Sequence, residues 1–487
     1  MTYRPAEVRA AMRAARLQEH AVSPSPPAVE HVFAPPGHER ALQPKVALVV
    51  GTRGAGKTFW TRALVNPSVR DLLRHTTRVD LTNVSVDLGH SERSLTDQYP
   101  DAAVFEKLLD GFEPLHVWRA VTARWMARVS TVPLVAIPTA SWDATVVWAA
   151  HEPESFARLA EATDSALGVR GTTALLVFDA LDRLGRDWTT RAKVTRALLE
   201  LLLQLRSFSH LRGKAFLRED EVQRSEVTAF ADASKLLAER ADLTWSAVDL
   251  HGLLWQYLLN APAAHGERLR ALHEHVLDRP PEHATDGVWT LTRRDRSDET
   301  ALRALYESLS GPWMGRDRRR GATFPWIVTH LADSRGRASP RSFLHAIGVA
   351  ADVTSDRYPE HDRPLHVDAI KAGVQAASSG RVDELLEDHR WAQDPLNALK
   401  GRLTVPCAFA DVVALWSTAL GHHLPPTIAE ALPPEEVHQG WGGVRVALER
   451  MGVFERLRDE RVNLPDLYRV GLSMGRKGGV RPVRRSN

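Results

Sequence analysis

The chain has 487 residues, more than one compact core holds, so two to four domains are expected. Hydrophobic residues make up 44% and charged residues 25%, with a formal net charge of +3, which excludes a disordered chain and a uniform polycation. A single cysteine, Cys407, excludes an intramolecular disulfide framework and a cysteine-rich zinc site.

The first residues, MTYRPAEVRAAMRAARLQ, have alanine and charged residues at helical spacing, with no apolar core before a small-residue cleavage site. No apolar run approaches the roughly 18 to 20 residues of a membrane helix, so a cytoplasmic, soluble chain without membrane contact is expected. Pro24, Pro26, Pro27, Pro35, Pro36 and Pro44 then forbid a continuing helix. Residues 1–44 are therefore read as a short helix on a proline-rich linker, with the helix docking on a partner or on the chain's own core.

From Lys45 the texture becomes an alternation of short aliphatic runs and helical stretches, as in a parallel α/β sheet. Strands are expected at Val46 to Val50, Val79 to Leu81 with Val84 to Val86, Ala174 to Phe178, and Ala215 to Leu217. Helices are expected at Phe59 to Leu73, Val117 to Arg128 and Arg191 to Leu205. Beyond Leu250 the pattern is helical, at Leu302 to Ser308, Trp326 to Leu331, Arg341 to Ala351 and Val367 to Ala377.

The fold class expected is an α/β P-loop NTPase core over residues 45–260, an all-helical lid over 261–355, and a small helical or winged-helix-like domain over 356–487. In the last, VVALWSTAL and VRVALERMGVFERL are read as helical and RVNLPDLYRVGL as extended. Residues 476–487 hold five Arg or Lys and no acid, so they are either a solvated tail or a contact for phosphates.

Between the strand VALVV and the helical FWTRALV stands Gly51-Thr52-Arg53-Gly54-Ala55-Gly56-Lys57-Thr58, which meets the spacing G-x-x-x-x-G-K-[ST]. That context suits a phosphate cradle, because backbone N–H groups and a helix N-terminus must converge on phosphate oxygens and glycine lets the backbone come close. Lys57 would reach the β and γ phosphates of ATP, and the Thr58 hydroxyl would ligate Mg²⁺. ATP is expected over GTP because no guanine-selecting N-K-x-D pattern is present.

The second anchor expected for the metal is Asp179, at the carboxyl end of the apolar TTALLVF. Ala180 follows it, where many P-loop ATPases place a glutamate that polarises the attacking water. Asp182 is the next carboxylate along and is read either as catalytic or as a cap on the following helix.

The series Asp179-Ala180-Leu181-Asp182 resembles the Walker B box of the signal-transduction ATPases with numerous domains (STAND) and of the related KAP-type and AAA-like bacterial NTPases. The resemblance spans about residues 45–350, and departs from those families at Arg183, where they carry an acid. It implies two polar sensors of the nucleotide: Arg218 after the strand KAFL, and Arg341 in RASPRSFLHAI. Each has an ordinary alternative, an ion pair with Glu219 or Asp220 for Arg218 and a plain first helical turn after Pro340 for Arg341.

Together these imply a regulatory ATPase in which nucleotide state sets the lid and so engages a protein partner or effector, or a further copy of the chain, as in bacterial anti-phage defence. Two other readings stay open: a DNA-binding ATP-dependent regulator or loader using the carboxyl-terminal region, and an ATP-bound scaffold without turnover.

Overall fold

A computed structural model of the chain describes residues 4–17, 27–130, 136–185, 187–284 and 287–477. The chain forms two compact units: one of Ser23–Thr244 with Ala284–Asp286, the other of Met1–Val22, Trp245–His283 and Gly287–Asn487.

The first unit is built on five parallel strands, β1 (Leu48–Gly51), β2 (Val84–His90), β3 (Thr173–Phe178), β4 (Leu211–Arg218) and β5 (Ala241–Leu243), in the order β2-β3-β4-β1-β5. β1 is buried along its whole length and β3 along all but its first residue, as expected of parallel strands covered on both faces. The connection from β1 runs across the sheet to β2, while those from β2, β3 and β4 run back the other way. Right-handed crossovers put the first connection on the face opposite the others. A reversal of this kind is where open α/β sheets gather ligands, at the carboxyl ends of the strands.

Helices Pro114–Ser130, Pro153–Val169 and Trp188–Leu205 pack together over β2, β3 and β4. Trp118 is buried in this layer and donates its indole N–H to the Val194 carbonyl at 3.0 Å. The helix expected over Phe59 to Leu73 is two helices, Lys57–Val65 and Pro67–Thr76. Pro67 lacks an N–H and disfavours helical geometry at Asn66, so the first helix stops there. The Asn66 side chain then caps the second by accepting from Ser68 N–H at 3.0 Å. Val79 to Leu81, expected as a strand, lies just before β2 and outside it.

Residues 27–46 are packed rather than a free linker. Val32, Phe33, Ala34, Ala41 and Leu42 are buried, and so is His38. Trp60 Nε1 donates to His38 Nδ1 at 3.1 Å, so His38 Nε2 carries the proton given to the Thr244 carbonyl at 3.0 Å. Lys214, on β4, is 0% exposed and donates to the carbonyls of Ala41, Gln43 and Val46 at 2.7, 3.0 and 2.5 Å.

The second unit is mainly helical. Helix Ala247–Leu259 opens on a capping box between Ser246 and Asp249 and is buried from Leu250 to Leu259, packed on Ala264–Leu277 and Glu299–Ser310. Helix Pro5–Ala14 packs on Ala264–Leu277 and Pro340–Arg357, where buried Arg9 donates to the carbonyls of Pro364 and Pro359 at 3.0 and 3.1 Å. Pro340–Arg357 and Val367–Asp388 approach so closely that a Cβ on Gly373 would come within 2.1 Å of the Ala346 carbonyl oxygen.

After these come helix Gln393–Leu399, strand Thr404–Val405, helices Phe409–Leu420 and Trp441–Arg450, and the antiparallel pair Glu455–Arg456 with Val462–Asn463. Cys407 bridges antiparallel to Val462, which closes a winged-helix-like arrangement. The stretch RVNLPDLYRVGL is extended only at Val462–Asn463; after Pro465 it turns into helix Asp466–Gly471. Among the described residues no helix is long and apolar enough to cross a membrane.

Candidate functional site

The site begins where β1 ends at Gly51. Gly54 and Gly56 take φ values of +77° and +103°, left-handed backbone that side-chain-bearing residues rarely adopt. A Cβ on Gly51 would stand 3.2 Å from Ala55 Cβ and 3.3 Å from Leu243 Cβ, so the loop folds closely back over the strand end. Helix Lys57–Val65 starts immediately after Gly56, and its first N–H groups have no partner within the helix. The result is a concave run of backbone donors at the positive end of a helix dipole, suited to phosphate oxygens.

Lys57 Nζ donates to the carbonyls of Gly51 and Thr52 at 3.0 and 2.9 Å. Although the residue is only half-buried, desolvation is the largest influence on its ammonium and, with the positive charge of Arg218, brings its pKa down to about 8; Asp179, Glu221 and Asp220 oppose the fall. Phosphates delivered to this loop would restore the charged form.

Asp179 follows β3 directly and is 2% exposed. Its N–H donates to the His90 carbonyl at 3.0 Å, and His90 Nδ1 donates back to the Asp179 carbonyl at 2.8 Å, so the end of β2 clamps the end of β3. Both the phosphate loop and Asp179 therefore stand at the carboxyl edge of one parallel sheet. This is a P-loop NTPase fold. The residue types suit a magnesium nucleotide: Thr58 in the first helical turn and the buried Asp179 carboxylate would hold the ion, directly or through water, and the ion would neutralise phosphate charge.

Ala180 has a φ of +59°, a left-handed conformation that costs an alanine about 1–2 kcal/mol. It leads into the 3₁₀ turn Leu181–Arg183, which contains Asp182; the Asp182 side chain lies outside the described residues. Arg218 is the last residue of β4 rather than the first beyond it, and pairs in register with Gly51. Its Nε donates to Asp220 Oδ1 at 3.1 Å, and its N–H to Glu221 Oε2 at 3.0 Å. Lys57, Thr58, Asp179 and Arg218 thus belong to one edge of one unit.

Arg341 belongs to the other unit. It is the second residue of helix Pro340–Arg357 and pairs with Glu384 at 2.9 Å, a carboxylate that also meets Arg381 at 3.1 Å. Arg316 to Arg320 are exposed, and residues 478–487 of the basic tail lie outside the described residues.

Sequence reading missed His90 and Glu92, which extend the carboxyl edge beyond β2. Glu92 Oε2 meets Arg62 Nη2 and Glu92 Oε1 meets Arg183 Nη2, both at 3.2 Å. The signal was weak: Glu92 is an acid just past a strand, but VSVDLGH is interrupted by Ser85, Asp87 and His90 where the run before Asp179 is wholly apolar.

No family model matches the chain, and no curated protein matches it. Among solved structures the P-loop chain is similar to the Aeropyrum pernix ORC2 protein, solved as ADPNP-ADP complexes, at 11% identity and a TM-score of 0.38 over 93% of this chain and 96% of that one. It is similar to Cdc6p from Pyrobaculum aerophilum at 11% identity and 0.31 over 94% and 96%. It is similar to the Aeropyrum pernix ORC1 protein in complex with DNA at 13% identity and 0.29 over 97% and 92%. Likeness at this level transfers no function.

Proposed function

We propose that the chain is a magnesium-dependent ATPase that works as a nucleotide-dependent switch. The observation behind this is the placing of the Gly51–Thr58 cradle, Lys57 and Asp179 at the carboxyl edge of β1 and β3, with Arg218 level with Gly51 on the intervening β4. Such a site binds a nucleoside triphosphate, holds Mg²⁺ between Thr58 and Asp179, and polarises the γ-phosphate with Lys57. In this reading Arg218 senses the γ-phosphate, residues 261–355 act as a lid whose Arg341 responds to nucleotide, and the response is passed to a separate effector, as in the STAND and KAP-type systems the Walker B series resembles.

Calorimetric titration of MgATP and steady-state phosphate release test the proposal. MgATP binding that Lys57→Ala abolishes, with phosphate release by wild type, is expected, and Asp182→Asn shows whether that carboxylate contributes to release. Equal silence of wild type and both variants, in binding and in release, would sink it.

The winged-helix-like arrangement favours a second reading, a DNA-dependent regulator. Its antiparallel hairpin carries exposed Arg456, Arg458 and Arg461, although Arg456 pairs with Glu460 and Arg461 with Asp459. Phosphate contacts make DNA affinity fall steeply with salt. Titrating duplex DNA at two salt concentrations, with and without residues 476–487, separates this reading from the first; no binding at low salt removes it.

A further inference from the structure

The backbone turn after Asp179 puts alanine, in a left-handed conformation, where a P-loop site would use a carboxylate against the attacking water. We propose that Glu92, one strand over, is that carboxylate. The inference rests on the ATPase reading above and deepens it.

Register is the first support. His90 and Phe178 are the last pair of the β2–β3 ladder, so Ser91 and Glu92 leave the end of β2 beside the place where Asp179 and Ala180 leave the end of β3. Adjacent strands are about 4.8 Å apart, well within the reach of a glutamate side chain. The backbone bond from Asp179 N–H to the His90 carbonyl and the side-chain bond from His90 Nδ1 to the Asp179 carbonyl hold the two strand ends together.

The second support is that Glu92 sits in a built loop. Ser91 Oγ meets Tyr99 Oη at 2.7 Å, Arg93 N–H donates to Ser91 Oγ at 3.2 Å, and Trp142 Nε1 donates to the Thr96 carbonyl at 2.8 Å. Both neighbours of Glu92 are therefore tied down.

The third is what its carboxylate touches. Arg62 lies four residues after Thr58, on the same helix face one turn further on. Arg183 is the last residue of the turn that follows Asp179. Glu92 joins these two, one oxygen each, and so stands where the phosphate-loop helix meets the turn beyond β3. On the other flank of the site, Asp220 pairs with the Arg218 guanidinium and Glu221 caps the Arg218 N–H. Arg62 and Arg183 are positioning residues that hold the Glu92 carboxylate at this edge.

In the step assigned to Glu92, a water oxygen bonds to the γ-phosphorus as the bond from that phosphorus to the β–γ bridging oxygen breaks. ADP leaves with the electron pair. The water proton passes to the Glu92 carboxylate and then to solvent, giving ADP, phosphate and a proton.

The test uses the full chain as wild type, Lys57→Ala, Asp182→Asn, Glu92→Gln and Glu92→Asp, with MgATP binding measured by calorimetry and phosphate release followed in parallel. Glu92→Gln is expected to keep MgATP affinity within about threefold, which also shows that it is folded, and to slow release by at least about a hundredfold, the usual scale for loss of a general base. Desalted Glu92→Gln protein should retain ATP where wild type retains ADP, and Glu92→Asp should release phosphate at an intermediate rate. The proposal is overturned if Glu92→Gln binds MgATP and releases phosphate within about threefold of wild type, if Asp182→Asn alone silences release, or if wild type binds MgATP and releases none. Absence of MgATP binding by wild type, or binding indifferent to Lys57→Ala, instead brings down the ATPase reading itself.

Discussion

Two lysines at the same sheet, Lys57 half-buried at its carboxyl edge and Lys214 fully buried on β4, show how differently one side chain can be used. Lys57 at the carboxyl edge gives two hydrogen bonds to backbone carbonyls, and the charges of Arg218, Asp179, Glu221 and Asp220 all act on it. Lys214 gives three, to Ala41, Gln43 and Val46, and burial alone lowers its pKa, to about 7. An ammonium has three protons to donate. Lys214 has used all of them to hold residues 41–46 against β4, whereas Lys57 has donor capacity left and sits among charges that a phosphate would rearrange. The company a desolvated cation keeps separates a ligand contact from a structural pin.

The largest effect expected from this comparison is on binding. Lys57→Ala should weaken MgATP by roughly 100-fold or more, since hydrogen bonds to charged groups contribute about 1.5–3 kcal/mol each, and calorimetry reads it directly. The thermal midpoint without nucleotide should hardly fall. Lys214→Ala should do the reverse, leaving MgATP affinity intact while orphaning three carbonyls. A cost of about 2–4 kcal/mol follows, or roughly 5–15 °C in the midpoint for a unit of this size, read by scanning calorimetry. Exchange of the two phenotypes would break the comparison.

A smaller effect comes from pH, and its sign differs between stability and binding. Both lysines titrate lower in the folded chain, at about 8 and about 7, than the 10.5 expected of a free lysine. Between those values the unfolded chain holds more protons, so stability rises with pH. The penalty of burying each charge is therefore full below the folded pKa and relieved as pH climbs toward 10.5. Urea midpoints should increase from pH 7 to pH 9, and by less in Lys214→Met. MgATP affinity should fall over the same interval as Lys57 loses its charge, and a fall that persists in Lys57→Ala would assign it elsewhere.

The smallest effect is expected at Arg341. Its pairing with Glu384 is partly exposed, so Arg341→Ala should cost about 0–1 kcal/mol of stability. A loss of MgATP affinity beyond threefold, measured beside that change, would mark Arg341 as a nucleotide sensor and not only an ion-pair partner.

Much of the carboxyl edge was legible because it is local. The glycines at 54 and 56 and the lysine and threonine after them shape one turn and one helix start, and neighbouring residues decide both. Asp179 was legible as the first polar residue after a five-residue apolar run. β5 was not, because three residues with an exposed middle give too little alternation to read. The boundary between units falls at Thr244–Trp245, not at the expected 260, because helix Ala247–Leu259 is apolar on nearly every face and packs on the helices that follow it. Lys214 in LRGKAF looks like a charge on an exposed strand face until residues 41–46 fold back over it. Pro67 is a plain stop signal inside the apolar spacing of Phe59 to Leu73, and the second helix begins there.

The Gly51–Thr58 cradle, its lysine and the alternation of strands and helices around it were determined by sequence alone, since backbone conformation and helix polarity are properties of adjacent residues. Which carboxylates and guanidiniums share that cradle was decided by the tertiary structure. His90 and Asp179 are 89 residues apart in the chain and meet only because β2 and β3 are neighbours in the sheet. The same neighbourhood brings Glu92 to Arg183 in the turn beyond Asp179, a contact that no spacing along the chain would have placed.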